Sequence, residues 1–173
     1  MANSTALSGS SRIQISIDNQ KLDAAKLNAV LDKFKINVGI DWKFGASGND
    51  YVNLLYHATL TAQDDAPSAV DISGSDIKDA FGDDCDFSLL KLLYVKNTDA
   101  TEDLLIGGLA NQVPVAKSTT PFAEFGVIVI PPGGYLLWAD PVGVNVTADK
   151  YLQIWAETVE ITYDIVLMGI KTP

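Results

Sequence analysis

The sequence predicts a mainly all-β domain, an antiparallel β-sandwich with one or two short helices. Three observations predict it. Apolar and polar residues alternate over long stretches, most cleanly from Lys33 to Phe44. Turn-forming residues recur about every 8 to 12 positions, the spacing of short strands in sandwiches and barrels. Two β-branched and aromatic runs flank Pro131-Pro132-Gly133-Gly134. There, proline presets one turn corner and glycine accepts the positive φ of the next.

The elements follow in order. Residues 1–11 are small and polar and read as a flexible N-terminal tail. Residues 12–173 form the single β-sandwich domain. Ile13, Ile15 and Ile17 alternate with Arg12, Gln14 and Ser16, so a strand begins there. A helix is expected near 20–33. Asn19 would cap it, and Leu27, Val30, Leu31 and Phe34 fall at helical spacing. From Phe34 the period becomes two, and Phe34, Ile36, Val38, Ile40, Trp42 and Phe44 share one strand face. Gly45 to Asp50 is a loop.

Tyr51 to Ala62 alternates again, with Tyr56 on the apolar face and His57 on the wet one. Gln63 to Ser68 reads as a loop. A short helical piece is expected over Ile77 to Phe81, capped by Ser75. Phe87 to Lys96 is apolar on both faces, as a central strand is. Asn97 to Ala100 is a turn, and Leu104 to Gly108 a short strand. Phe125–Ile130 and Tyr135–Ala139 are expected to pair as a hairpin across the Pro-Pro-Gly-Gly turn. Val142 to Thr147 is a turn and short strand, and Tyr151–Glu157 and Ile161–Gly169 a closing pair.

Composition narrows the function. Of 173 residues, 47% are hydrophobic, enough for one real core. Twelve basic residues against 22 acidic ones give a net charge of -10. That charge repels phosphate, so neither nucleic acid nor an anionic membrane surface is an expected partner. No basic segment followed by an apolar one opens the chain, and no apolar run approaches the roughly 20 residues of a membrane helix. Synthesis in a cytoplasm is expected. The glycosylation patterns at Asn3 and Asn145 then read as chance matches.

The candidates for chemistry are weak. His57 is the only histidine, and it has neither a Gly-x-Ser-x-Gly elbow nor an evident nucleophile. Cys85, the only cysteine, forms no internal disulfide and supports no cysteine-based metal site. Asp83, Asp84 and Asp86, with Asp79 nearby, could hold calcium. Their spacing fits no calcium loop, and a solvated turn is the plainer reading, as for Asp64-Asp65. Trp42 is expected to be buried. Trp138 and Trp155 could face a partner or form a sugar platform. Gly107-Gly108 and Gly133-Gly134 lack the helix and lysine of a phosphate loop. No catalytic residue, cofactor or metal ligand is expected, and this chemistry by itself assigns no function.

An ordered set of motifs goes further. Phe44-Gly45-Ala46-Ser47-Gly48-Asn49 precedes Leu54-Leu55-Tyr56-His57-Ala58-Thr59-Leu60-Thr61. Val70 to Gly82 and Leu93-Tyr94-Val95-Lys96-Asn97-Thr98 come next. Leu105-Ile106-Gly107-Gly108, Ile130-Pro131-Pro132-Gly133-Gly134 and Thr162 to Gly169 close the set. In this order the chain resembles tailed-phage virion structural proteins from about Phe44 to Gly169. Similar phage proteins include β-sandwich or jelly-roll decoration (cement) proteins, often trimers. The resemblance implies a jelly-roll-like sandwich on the capsid exterior, bound to the major capsid protein and self-associated as a homotrimer. It transfers no catalytic residue. The alternative it leaves open is a tail, baseplate or head-fibre component that binds host surface glycans.

Overall fold

The computed structural model describes residues 9–23, 28–45, 47–64, 68–74, 76–79, 81–107, 127–148 and 150–171. Among them there are eleven strands and no helix. Eight strands form two four-stranded sheets around one core. The first sheet runs β4 (Leu54–Ala62), β11 (Ile161–Ile170), β6 (Leu89–Asn97), β9 (Tyr135–Asn145). The second runs β5 (Ser68–Asp71), β10 (Tyr151–Ala156), β7 (Leu104–Gly107), β8 (Val127–Ile130). The core takes Leu93, Tyr163 and Ile165 from the first sheet, and Leu104, Leu152 and Ile154 from the second. The antiparallel sandwich expected from alternation is therefore present.

The pairing within these sheets is nested. β4 pairs β11, β5 pairs β10, β6 pairs β9 and β7 pairs β8, all antiparallel. The chain thus resembles one long hairpin whose turning end lies between β7 and β8, wrapped so that alternate pairs fall in opposite sheets. β10 and β11, last in sequence, occupy interior positions in both sheets. The Phe87–Lys96 stretch is indeed interior: β6 lies between β11 and β9, with Leu90, Lys91, Leu92 and Leu93 all buried.

Nesting corrects two expected pairings. β8 and β9 flank Pro131–Gly134 but do not pair with each other. The turn carries the chain from the second sheet to the first. The turn itself is as expected: the Gly134 N–H donates to the Pro131 carbonyl at 2.8 Å. Gly133 has φ +68°, the corner that favours glycine. Gly134 has no positive φ, but a Cβ there would lie 2.9 Å from the Pro131 carbonyl oxygen. Likewise β10 and β11 lie in different sheets and form no closing pair. In each case the apolar faces of the two strands are both used, one from each side of the same core.

The turn is moored from below by Asn97, which is fully buried. Its Nδ2 donates to the carbonyls of Glu102 (2.7 Å) and Ile130 (3.0 Å). Its Oδ1 accepts from the Asp99 N–H, and the Gly133 N–H donates to the Asp99 carbonyl. Asp99 Oδ1 in turn accepts the N–H groups of Thr101 and Glu102, which hold its carboxyl below the usual carboxylate range.

A second β-structure precedes the sandwich. β1 (Gly9–Asp23) and β2 (Asn28–Phe44) form an antiparallel ribbon in unbroken register from Gly9↔Trp42 to Asp23↔Asn28. β2 also pairs in parallel with the short β3 (Tyr51–Val52) through Lys43 and Phe44. The expected helix near 20–33 is thus replaced by strand over 20–23 and 28–33. Helix propensity is a weak local preference, and cross-strand pairing started by Ile13 to Ile17 against Phe34 to Val38 propagates through it. Residues 9–11, expected in a flexible tail, belong to β1, while the rest of that tail lies outside the described residues. The short helix expected over Ile77 to Phe81 is also missing. Its described residues form a bridge, Lys78↔Asp84, and a turn. The strand β5 begins at Ser68, the last residue of the expected loop, and continues to Asp71.

Candidate functional site

The residues that could do chemistry are separated and mostly spoken for. His57 lies exposed on β4, opposite Val166 of β11, on the outer face of the first sheet. Cys85 is fully buried, and burial, with Asp79 second, pushes its thiol up to about 11. A protonated, buried thiol is no nucleophile.

The acidic loop is a network of turn contacts. Asp79 Oδ1 accepts the N–H groups of Phe81 (2.8 Å) and Asp83 (3.0 Å). Asp84 pairs with Lys78 at 2.5 Å, and this partner holds its carboxyl down. Asp86 faces Lys171 at 4.0 Å. Among the described residues no three potential ligands gather as a metal ion needs. Asn145 Oδ1 accepts from the N–H and hydroxyl of Thr147, so this side chain serves a turn.

The tryptophans divide. Trp42 is buried, as alternation predicts. Trp138 packs half-buried against the sandwich core. Trp155 is half-buried on β10, whose Leu152, Ile154 and Ala156 belong to the core. It therefore takes the other face, beside Gln153. Trp155 Nε1 and Gln153 Oε1 are buried and have no hydrogen-bond partner among the described residues.

The larger feature is the outer face of the first sheet. Trp42, at the ribbon's base, covers Leu92 and Met168 there, with Leu55 alongside. The apolar surface continues past it through Val166, Tyr94 and Leu137, all partly buried. It ends at Tyr135, which is 63% exposed and whose ring centre lies 6.1 Å from that of Tyr94. Thr59 and Asp164 border it, joined by a 2.7 Å hydrogen bond. Such a surface suits a broad protein contact.

The base of the ribbon is fixed by a residue the sequence pattern hides. Lys91 is 1% exposed, and its Nζ donates to the carbonyls of Gly48 (2.7 Å) and Asn49 (3.0 Å). Burial pulls its pKa down, partly countered by Asp50 and Asp140. The loop it holds is closed by Lys43 N–H to Asp50 O and Gly45 N–H to Val52 O.

Set against known protein families, characterised proteins and solved structures, the chain matches none.

Proposed function

We propose that this chain is a bacteriophage structural protein that decorates and stabilises the capsid exterior. In this reading it is made in the host cytoplasm, binds the major capsid protein and self-associates as a homotrimer on the virion surface. The observation that carries the reading is the nested pairing β4·β11, β5·β10, β6·β9 and β7·β8 in two sheets. We read this wrapping as a jelly roll, an architecture that recurs in viral capsid domains. It accompanies the ordered motifs from Phe44 to Gly169 that resemble phage virion proteins. The apolar outer face around Tyr135 agrees with a role built on contact. The net charge of -10 disfavours nucleic acid.

Adding purified protein to undecorated capsids and counting bound copies tests the reading. Saturable binding with a gain in capsid stability is expected. No binding and no gain would sink it.

One observation favours the alternative of a tail, baseplate or head-fibre component. On the non-core face of β10, Trp155 Nε1 and Gln153 Oε1 are a donor and an acceptor with no hydrogen-bond partner among the described residues, and both are buried, so a sugar would have to displace what covers them. A glycan array with no hits would remove this alternative.

A further inference from the structure

Among the described residues β1 pairs with β2 and no other strand, and β2 gains β3 only at Lys43 and Phe44. Fifteen register pairs at about 3.3 Å each make it about 50 Å long. A two-stranded ribbon is marginal in water unless one face is covered.

The register shows which face needs covering. Ile13 falls opposite Val38, Ile15 opposite Ile36, and Ile17 opposite Phe34. Opposed positions in an antiparallel pair share a face. This row of positions is in phase with Ile40 and Trp42, which pack on the outer face of the first sheet. That sheet face also holds Tyr94, Leu137 and Val166, which stay only partly buried beside the Trp42 cluster, and ends at exposed Tyr135. The same chain therefore carries an apolar ribbon face and an apolar sheet face.

Charge selects the occupant. Residues 1–38 contain five basic residues (Arg12, Lys21, Lys26, Lys33, Lys35) and three acidic ones (Asp18, Asp23, Asp32), for a net +2. With the whole chain at -10, residues 39–173 carry -12. A basic arm against a strongly acidic body favours arm-to-body contact and disfavours body-to-body contact.

We propose that the β1–β2 ribbon is an intersubunit arm. Its Ile15–Ile36 face lies on the outer sheet face of a second copy, around Tyr94, Tyr135, Leu137 and Val166. The contact is head-to-tail, so it closes into a ring when the rotation between copies permits. The inference rests on the self-association in the proposed function and does not require a capsid.

Light scattering on the full chain should give a multiple of 18.5 kDa, and the arm variant I15D/I36D should fall to the single-chain mass. Cross-linking keeps the test valid if that variant misfolds. Ile15→Cys and Tyr135→Cys chains are prepared separately, mixed and oxidised. Cys85 is buried and does not compete. A disulfide between the two different chains is expected. A monomeric wild type, an unchanged mass in the arm variant, or arm-to-arm disulfides alone would overturn the arm. So would a chain with both substitutions that links only within itself. Capsid binding by a monomer would leave decoration standing and sink the arm, whereas a cross-linked oligomer that binds no capsid would do the reverse.

Discussion

In the sandwich, every strand has a sheet neighbour and a second sheet across the core. Tyr163, Phe87 and Leu93 are accordingly enclosed from both layers. In the ribbon, fifteen residue pairs stay in register with no shift, yet among the described residues β1 has β2 as its only strand partner. The difference among the described residues lies in sheet neighbours, and it teaches that pairing sets register while burial sets stability. Substitutions in the sandwich should therefore act on the whole fold, and those at the ribbon's base should act locally.

The largest effect is expected at Gly169. It sits at the register shift of β11 against β6, and a Cβ there would lie 2.1 Å from the Leu89 carbonyl oxygen. Gly169→Val should cost about 4 kcal/mol or more, read from the denaturant midpoint. An unchanged midpoint would show that the central strand can shift without loss, against the contrast drawn above.

Asn97→Leu comes next. It strips partners from the buried carbonyl of Ile130, the half-buried carbonyl of Glu102 and the Asp99 N–H. A loss of roughly 2–3 kcal/mol is expected by the same measurement. Amide protection at Gly133, which donates to Asp99, should fall more than at β4.

Alkaline pH should weaken the sandwich by a smaller amount. Cys85 keeps its proton to about pH 11 in the folded chain but releases it near 9 when unfolded. The unfolded state therefore binds fewer protons between these values, and stability falls as pH rises through the window. The buried phenols of Tyr56 and Tyr163 shift upward too and act in the same direction. Melting curves from pH 8 to 11 check this, and Cys85→Ala should flatten the first part of the decline.

Lys91→Met should change global stability least, by about 1 kcal/mol in either direction, because apolar replacement of a buried charge is often neutral. Its effect belongs at the ribbon's base, where the carbonyls of Gly48 and Asn49 lose their donor. Hydrogen exchange at Lys43 and Gly45 should quicken while that of β11 stays unchanged. A uniform acceleration would erase the distinction between the two regions.

The fold class was legible because alternation and turn residues are local signals that the final packing reinforces. Trp42 is the clear case, with a phase in β2 that gives its burial directly. Partner choice was not legible. Pro131–Gly134 encodes a chain reversal, but whether the flanking strands pair depends on β7 and β6, distant in sequence. The 20–33 segment misled because alanine and leucine spacing suits a helix while register with residues 18–23 is invisible locally. Lys91 was hidden by the irregularity between Leu90 and Leu92, where pairing with β9 shifts. At the candidate site the burial of Cys85 was not legible, because it follows from packing between strands distant in sequence.

The interior places of β10 and β11 bear on how the chain is made. Residues 151–170 separate β5 from β7 in one sheet and β4 from β6 in the other. While they remain in the ribosome, neither sheet can close: β6 can pair β9 and β7 can pair β8, but β4 and β5 lack their sheet neighbours. The sandwich must close late, after most of its apolar surface has already been translated. The interval before those residues emerge is when this chain most needs the solubility that its acidic side chains provide.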